Sequence, residues 1–393
     1  MATIGDVCTV VNGGTPKTGV SRYWAGPHQW ITPAEMGRRS TPYIERTERT
    51  ISDTGLQNSS ARPLPPHSVI LSSRAPIGHL VINTVPMATN QGCKGLVPGN
   101  RIDHKFLYYF LGSIVDLLND LGTGATFKEL SGGKLKEVLV PLPPLSEQRR
   151  IVSILDEAFE AIATAKANTE RNLRNARELF EGHHQAVLAR AGEGTAYERL
   201  GDFASFRNGI NYTKQSRGRT VRIIGVKDFQ NHFWAPLDDL DSVTLDGDLS
   251  PADRVAEGDI LAVRSNGNPA LIGRCMTVGR VADQVTHSGF TIRITVRREK
   301  AFPSYICQFM RSRAVRRKLI DGGNGLNIKS LNQGMLSEII VPLPTIAKQQ
   351  AVIAEIEQIA VETARLADVV ARKLAALDEL KKSLLHQAFS GAL

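Results

Sequence analysis

The chain has 393 residues, of which 42% are hydrophobic and 22% are charged, and its formal net charge is +9. This length allows two or three domains with buried cores, and the ordinary globular composition argues against extensive disorder. No window approaches about 18 uninterrupted apolar residues, and the N-terminus lacks the pattern of a signal peptide, so we expect a cytoplasmic protein without a membrane span.

Residues 1–144 are predicted to form a domain that mixes strands and helices. Short β-branched runs such as HSVILSS are bounded by Gly, Pro and Asn, and an amphipathic helical stretch, FLYYFLGSIVDLL, lies between such runs. Residues 192–343 repeat this plan with the runs VRIIGV, DILAVRS and FTIRITV. The pattern therefore predicts an α+β fold class with two α/β domains.

Each of these segments ends in a proline-rich stretch that leads into a long predicted helix. VPLPPLSEQRRIV precedes a helix over 145–191, and VPLPTIAKQQAVI precedes one over 344–393. At ~1.5 Å per residue each helix is about 70 Å long, and its apolar stripe is too narrow for burial inside a globule. We therefore expect the two stripes to bury each other. The residues assigned to this seam or to the docking of partners are Ile151, Leu155, Ile162, Phe180, Ile356, Ile359, Leu366, Val370 and Leu377.

The chain is an internal duplication with a period of roughly 200 residues, as expected for a repeated domain rather than a solenoid. Residues 122–155 align with 323–356 without a gap, and 12 of these 34 positions are identical. The matches include the quartet Val-Pro-Leu-Pro, and the dipeptide Asn-Gly and the tripeptide His-Gln-Ala also recur at the two ends of the unit.

The positive charge is confined to the two mixed segments. Residues 1–144 carry +4 and residues 192–343 carry +5, whereas 145–191 and 344–393 are neutral. Because phosphate contacts release counterions, a basic balance favours polyanionic partners such as nucleic acid, although charges of this size are only moderate evidence.

Recognisable catalytic motifs are missing from the sequence. The stretch NGGTPKTG has the lysine in the wrong place for a phosphate loop, and neither F-x-G-x-G nor N-P-P-[YF] is present for a DNA methyltransferase. No Pro-Asp dipeptide begins a nuclease motif, and the nine histidines form no metal-ligand spacing. The four cysteines lie far apart, which indicates buried reduced thiols. We therefore expect a non-catalytic reader or scaffold without a cofactor or metal.

Several long motifs, in order and over essentially the whole chain, resemble those of a known family. NGGTPKTGVSRYWAGPHQWITPAEMG, SSRAPIGHLV, TNQGCKGL and GATFKELSGGKLKEVLVPLPPLSEQRRIV lie in the first half. NGINYTK, GVKDFQN, GDILAVRSNGNPALIGR and HSGFTIRI lie in the second. The chain thus resembles the specificity (S) subunit of Type I restriction-modification systems.

This resemblance implies two target-recognition domains, 1–144 and 192–343, each reading one half of a split DNA sequence. The central helix, 145–191, and the distal helix, 344–393, would form an antiparallel coiled coil that relates the domains by a pseudo-twofold axis. The implied partners are double-stranded DNA, two methyltransferase (M) subunits that dock mainly on the helices, and restriction/motor (R) subunits. The S subunit itself is implied to do no chemistry.

Three other interpretations remain open from the sequence. An S subunit of a modification-only or Type II-like system has the same features, and only its partners distinguish it. A stand-alone DNA-binding regulator needs no long spacer helices. A coiled-coil scaffold without a DNA function does not need two basic globular units.

Candidate DNA contacts in the first domain come from loops and from residues that follow predicted strands. The loop from Lys17 to Trp24 combines Lys17 and Arg22 with Tyr23, although its aromatic residues favour the core over readout. Arg74 is a candidate, although its pattern favours an internal hydrogen-bonding role over a DNA contact. Lys128 is either a backbone contact or a solvated lysine. Lys94 completes this set.

The second domain supplies a matching set. Arg264 and Lys329 are taken as the counterparts of Arg74 and Lys128. The stretch NYTKQSRGR favours a solvent-facing DNA loop because it is basic and carries one large apolar side chain. The run RSRAVRRK is either a solvated helix face or a further contact. The remaining candidates are Lys214, Arg217, Arg219, Lys227 and Asn266.

Overall fold

A computed structural model describes residues 1–39, 41–124, 128–213, 215–229, 232–321 and 330–393. The chain divides into two compact units, the first made of 1–170 with 370–393 and the second of 171–369. The expected α+β fold class is confirmed, with a long helix between two α/β domains in the chain. Both long helices contribute a part to each unit, so the unit boundaries cut through them.

The first domain contains ten strands and six helices within the described residues, followed by the first long helix. The strands are β1 Ala2–Thr3, β2 Cys8–Asn12, β3 Trp24–Ile31, β4 Tyr43–Ile44, β5 Arg49–Ile51, β6 Val69–Ser72, β7 Leu80–Asn83, β8 Met87–Thr89, β9 Cys93–Pro98 and β10 Leu139–Val140. The helices are α1 Ile4–Val7, α2 Pro33–Met36, α3 Asp53–Gln57, α4 His104–Ser113, α5 Val115–Leu121, α6 Gly132–Glu137 and α7 Leu145–Gly192.

A five-stranded sheet, in the order β2-β9-β6-β7-β4, and a three-stranded sheet, in the order β5-β3-β8, form the body of this domain. Strand β1 pairs antiparallel with β10, which closes the domain just ahead of the proline segment. Because strand β6 is buried along its whole length, it reads as a continuous apolar run rather than as an alternating one.

The second domain contains nine strands and four helices within the described residues, followed by the second long helix. The strands are β11 Ala196–Arg199, β12 Ala204–Asn208, β13 Thr220–Ile224, β14 Asp241–Thr244, β15 Ile260–Val263, β16 Cys275–Thr277, β17 Val285–His287, β18 Thr291–Val296 and β19 Ile340–Leu343. The helices are α8 Leu200–Phe203, α9 Pro303–Arg311, α10 Arg313–Asp321, α11 Gln333–Ser337 and α12 Ile346–Ser390. Its sheets have the orders β12-β18-β15-β16, β14-β13-β17 and β11-β19.

The two domains share one backbone hydrogen-bonding frame. The Gly13 amide donates to the Cys93 carbonyl at 3.1 Å, and the Gly209 amide donates to the Thr291 carbonyl at 3.1 Å. A Cβ atom on either glycine would lie 1.9 or 2.1 Å from a backbone oxygen of the neighbouring loop. Only glycine therefore allows this close approach, which explains why the dipeptide Asn-Gly recurs in both copies.

A buried glutamine fixes the start of helix α7 to the first domain. The Gln148 side-chain oxygen accepts the Asp103 amide at 2.8 Å, and its nitrogen donates to the carbonyls of Arg101 at 3.0 Å and Pro143 at 2.9 Å. The Gln148 side chain is fully buried. It therefore joins the domain, the proline segment and the helix through one amide group.

The same arrangement starts helix α12. The Gln349 side-chain oxygen accepts the Phe302 amide at 2.7 Å, and its nitrogen donates to the carbonyls of Lys300 at 3.3 Å and Pro344 at 2.8 Å. Gln349 is also fully buried. The proline segments recur because each precedes a helix that is fastened to its own domain in the same way.

The apolar stripe of α7 is buried in the first unit, but not only against the other helix. Ile151 and Leu155 belong to the core of the first domain, together with Ala388 of α12 and the partly buried Phe389. Ile162 is 7% exposed. Lys166 forms an ion pair with Asp378, and the Arg150 guanidinium donates to the Leu393 carbonyl at 2.9 Å, so the two helix segments run antiparallel within this unit.

The second unit shows the same mixture of contacts. Ile356 lies in the core of the second domain, and Phe180 packs against that core. Leu366, assigned to the seam or to the docking of partners, is 38% exposed in the chain alone. Ile359 is half-buried; of the two residues that belong to the first unit, Val370 is buried and Leu377 is half-buried. The apolar stripes therefore pack against the globular cores as well as against each other.

Candidate nucleic-acid interface

The loop that carries Lys17 and Arg22 is fastened to a second loop, 90–92. The Asn90 side chain donates to the Thr15 hydroxyl at 2.9 Å, and that hydroxyl also contacts the side-chain oxygen of Gln91. Lys17 and Arg22 are exposed. The fastening holds these cations in a fixed place although their side chains extend into solvent.

The aromatic residues beside this loop are partly structural. Tyr23 is 8% exposed and lies in the interior, so it is not available as a surface contact. The Trp24 and Trp30 rings form an edge-to-face pair at 5.0 Å, and the exposed Arg49 guanidinium stacks 3.7 Å above the Trp24 ring. Sequence reasoning missed Arg49 because its strand and the tryptophans are neighbours only in the folded sheet.

Glu129 brings Arg74 and Lys94 together. The Arg74 Nε donates to Glu129 Oε2 at 2.9 Å, and the Lys94 Nζ lies 3.8 Å from Glu129 Oε1. The Arg74 side chain is 47% exposed, whereas that of Lys94 is only 7% exposed. The expectation that Lys94 contacts DNA is therefore not supported, since the inner side of β9 holds it as a partner for Glu129. Lys128, next to this glutamate, is exposed.

These groups form one surface, which we call the polar edge: loop 13–23, loop 90–92, Arg74, Lys128 and Glu129. The two loops are hydrogen-bonded to each other, and a Cβ atom on Gly92 would lie 3.6 Å from Cδ of Arg74. Sequence reasoning found most of its cations but not the carboxylate, whose role depends on a strand pairing between distant segments.

The second domain has an edge at the same position of the frame, where two exposed aromatic rings lie beside the exposed polar residues Asn211 and Thr213. The Gly289 amide donates to the Ile210 carbonyl at 2.7 Å, which joins the two corresponding loops. Phe290 is 60% exposed and Tyr212 is 45% exposed. We call loop 210–213, loop 288–290 and residues 265–266 the apolar edge. Asn266, on this edge, is half-buried, and its side-chain oxygen accepts the amide two residues on.

The predicted equivalence of Arg74 and Arg264 is wrong by one residue. The Arg264 amide donates to the Phe290 carbonyl at 2.8 Å, as the Ser73 amide donates to the Gly92 carbonyl at 2.8 Å. Arg264 therefore corresponds to Ser73, and the counterpart of Arg74 is Ser265. Because side chains alternate along an extended chain, a shift of one residue reverses the direction in which each points.

Of the remaining candidate cations of the second domain, two are exposed arginines and one is a lysine paired with a carboxylate. Arg217 and Arg219 are exposed, and the Arg219 guanidinium lies 4.0 Å from an Asp248 carboxylate oxygen. Lys227 donates to Asp241 at 2.7 Å, and this hydrogen bond raises the pKa of the Lys227 ammonium. Two further candidates, Lys214 and Lys329, lie outside the described residues.

An open groove of about 830 Å³ in the second domain carries more arginines than the sequence motifs suggested. Arg219 is joined there by Arg222, Arg254 and Arg280. Arg222 also lies 3.7 Å from Asp283, so part of the charge is balanced within the groove. Arg254 and Arg280 are far from Arg219 in the sequence, and only the fold brings them together.

Burial accounts for the state of the thiols. All four cysteines are buried and free, and desolvation raises the pKa of Cys8 and of Cys93 to about 12. The prediction of buried reduced thiols is confirmed.

Within the described ranges, no group of three or more His, Cys, Asp or Glu residues is placed to hold a metal ion. No helix in that part of the chain is both long enough and apolar enough to cross a membrane.

Comparisons with known proteins agree on one class. Residues 1–172 match the family model of the Type I restriction modification DNA specificity domain. A chain from a study of assembly and conformational transition in a type I R-M system covers 100% of this chain and 97% of its own length, with a TM-score of 0.78 and 17% identity. The HsdS subunit from Thermoanaerobacter tengcongensis covers 100% and 96%, with a TM-score of 0.61 and 16% identity. These two likenesses concern the fold.

Similar sequences carry the same description. The MjaIX specificity subunit of Methanocaldococcus jannaschii is 32% identical over 53% of this chain, and the match spans about half of that relative, 52%. The EcoKI specificity subunit of Escherichia coli is 22% identical over 85% of this chain and 76% of its own length. The matches agree with the resemblance seen in the motifs: residues 1–172 carry the Type I restriction modification DNA specificity domain, and the MjaIX and EcoKI sequences are Type I specificity subunits.

Proposed function

We propose that this chain is the sequence-specific DNA-recognition subunit of a Type I restriction-modification complex. The first domain reads one half of a bipartite target and the second domain reads the other half. The long helices position methyltransferase (M) subunits, two in number, and the assembly accepts restriction/motor (R) subunits in the cytoplasm. The observation that carries this proposal is the pair of edges, which share a backbone frame but differ in their exposed side chains.

The polar edge suits hydrogen-bonding readout. The contact between Arg74 Nε and Glu129 orients the guanidinium and leaves its two terminal nitrogens as donors. Two donors at one end of a guanidinium match the O6 and N7 acceptors of guanine in the major groove. Lys17, Arg22 and Lys128 are exposed around it and suit the phosphates, which fix the register without specifying bases.

The apolar edge suits a different type of contact. Phe290 and Tyr212 expose rings in a domain that carries a net positive charge in the sequence. Apolar side chains contact the methyl group of thymine or stack on unpaired bases. Arg217 and Arg219 lie in or next to loops of the same domain and are proposed to bind phosphates.

The chain is proposed to carry no catalysis of its own. This part of the proposal rests on the absence of catalytic motifs from the sequence and on the burial of all four thiols. Its task is then to place the reacting subunits at a chosen sequence, and it requires no cofactor.

The proposal is tested by expressing the chain with and without its methyltransferase subunits. Purified chain with labelled S-adenosylmethionine and DNA should transfer no label. Cells that hold the chain together with the methyltransferase subunits should carry modified bases in a two-part sequence with a fixed gap, read by methylation-sensitive sequencing. Label transfer by the chain alone, or modification without sequence preference in the presence of the partners, contradicts the proposal.

A further inference from the structure

A cavity of about 690 Å³ lies in the second unit, between the second domain and the adjacent parts of both long helices. It is separate from the residues of the polar and apolar edges. Aromatic rings, small residues and arginines make up most of its lining, which also includes Glu181, His184 and Gln308. The central members are Phe180, Phe233, Arg274, Arg311, Arg316 and Ala360.

The cavity is open on the side of α12 because this helix carries small residues there, such as Ala360 and Thr363. Counted from Gln148 and Gln349, which begin the helices in the same way, Ala360 and Thr363 correspond to Phe159 and Ile162 of α7. In the first unit the Phe159 ring packs edge to face on a tyrosine of α4 at 5.4 Å. The equivalent space in the second unit is left open by the missing ring.

Three guanidinium groups are crowded at the cavity wall. The carbonyl of Ala270 accepts both Arg274 Nε at 3.3 Å and Arg316 Nη2 at 2.7 Å. Arg311 Nη1 donates to the carbonyl of Cys275 at 2.8 Å, next to Arg274 in the chain. Burial lowers the pKa of Arg316, and the charges of Arg274 and Arg311 act in the same direction. An anion bound beside Arg311 and Arg316 would offset this repulsion.

Donors and flat apolar walls both face this space. The buried Nε of Arg316 has no hydrogen-bond partner among the described residues. The rings of Phe180 and His184 are stacked at 6.1 Å and 23°, and the Arg311 guanidinium lies 5.6 Å from the centroid of Phe233. A ligand that satisfies these groups carries an anionic end and a flat aromatic body.

We propose that this cavity binds a nucleoside phosphate. Among the described lining residues, Arg177, Arg311 and Arg316 oppose the carboxylate of Glu181, which leaves an excess of two positive charges even when Arg274 is not counted. A ligand with two or more negative charges balances this excess, whereas a monocarboxylate leaves most of it. The volume falls within the range of roughly 300–1,000 Å³ that is typical of small-molecule sites. The inference does not depend on the proposed DNA function, because none of these residues belongs to either edge.

Equilibrium binding of labelled ADP to the full chain tests the inference, with inorganic phosphate and adenosine as competitors. We expect saturable binding at micromolar to millimolar concentrations, displaced far less well by either competitor alone. Arg316→Gln should weaken ADP binding at least about 10-fold, since a charge-assisted contact is lost. Lys318→Gln, which removes an exposed cation of the same helix outside the cavity, should leave it unchanged.

The cavity itself is tested by Ala360→Phe, which places in α12 the ring that α7 has at Phe159. This variant should abolish ADP binding while thermal unfolding shows a folded chain. If it does not fold, Arg316→Gln, which removes the charge and leaves α12 unchanged, decides the question. Absence of saturable ADP binding to the wild type overturns the inference. So does equal displacement by inorganic phosphate, or a stabilised Ala360→Phe variant that still binds ADP.

Discussion

The two α/β domains agree in their backbone frame and differ at their edges. Gln148 and Gln349 make the same three hydrogen bonds. Each side-chain oxygen accepts a backbone amide of the domain, and each side-chain nitrogen donates to one carbonyl of the domain and to one carbonyl of the proline segment. At the edges, Gly92 and Arg74 of the first domain correspond to the exposed Phe290 and to Ser265 of the second. The comparison teaches that the features the copies share are those that hold a helix onto a domain.

The frame allows the edges to diverge because it is made of backbone atoms. Loop 90–92 and loop 288–290 are anchored through amides and carbonyls, which every residue except proline can supply in full. Side chains at these positions can therefore change without loss of the anchoring bonds. A domain of this type can acquire a new target without a new fold.

The largest expected effect on stability concerns the two buried glutamines that fasten the helices to the domains. Gln148→Leu and Gln349→Leu should each lower the free energy of unfolding by about 2–4 kcal/mol, because each leaves one buried amide and two carbonyls without a partner. Chemical denaturation of the full chain measures the effect. The matched control is Gln387→Leu, at an exposed position of α12, for which we expect less than about 0.5 kcal/mol.

If the two glutamine variants differ strongly from each other, the frames are not energetically equivalent. If neither exceeds the control, the buried amides do not fasten the helices. Either result breaks the first half of the comparison.

A second prediction distinguishes the two domains by the pH dependence of their stability. His287 of β17 is 1% exposed, and burial lowers its pKa from 6.5 to about 4; the nearby charge of Arg293 adds to this shift. The unfolded chain therefore binds more protons between these values, so the free energy of unfolding falls as the pH drops from 6.5 towards 4, by up to about 3 kcal/mol. The corresponding residue of the first domain is Thr89, which does not titrate.

His287→Thr, which copies the first domain, should flatten the pH dependence of unfolding in this window, whatever its effect at neutral pH. The slope of the free energy of unfolding against pH is the measurement. An unchanged slope shows that other groups, such as the buried His184, set the acid response.

The smallest expected effects concern the edges. Arg74→Ala and Phe290→Ala should each reduce discrimination at one half-site by about 1–2 kcal/mol, because each removes one base contact. Selection of bound sequences from a random pool by the assembled complex measures this loss. The control variants are Lys136→Ala and Tyr197→Ala, which are exposed outside the edges. Loss at both half-sites in one edge variant contradicts separate readout.

The spacing of apolar residues and the positions of the prolines predicted the main helices and strands well. The run DILAVRS contains β15, Ile260–Val263. The helices predicted over 145–191 and 344–393 are observed as α7, Leu145–Gly192, and α12, Ile346–Ser390. These features follow from local preferences, in which proline ends one element and apolar spacing begins the next. The duplication was equally visible, because the glutamine and the glycines of the frame have no substitute at their positions.

The sequence did not determine which cations face solvent. Lys94 was included among the candidate DNA contacts, yet its strand turns it inward to Glu129, 35 positions along the chain. Arg264 was matched to Arg74 from similar short motifs, and the hydrogen-bond register shows a shift of one residue. Both errors concern strand register, which depends on long-range pairing and not on local composition.

The most direct test of the account exchanges one domain. Residues 1–140 are replaced by the same region of another specificity subunit with a different target, and the modified sequences are mapped in cells that also hold the methyltransferase subunits. The account predicts that one half-site takes the sequence read by the donor domain, while the other half-site stays the same. A change in both half-sites, or in neither, would contradict the claim that two separate edges on one shared frame read the two halves of the target.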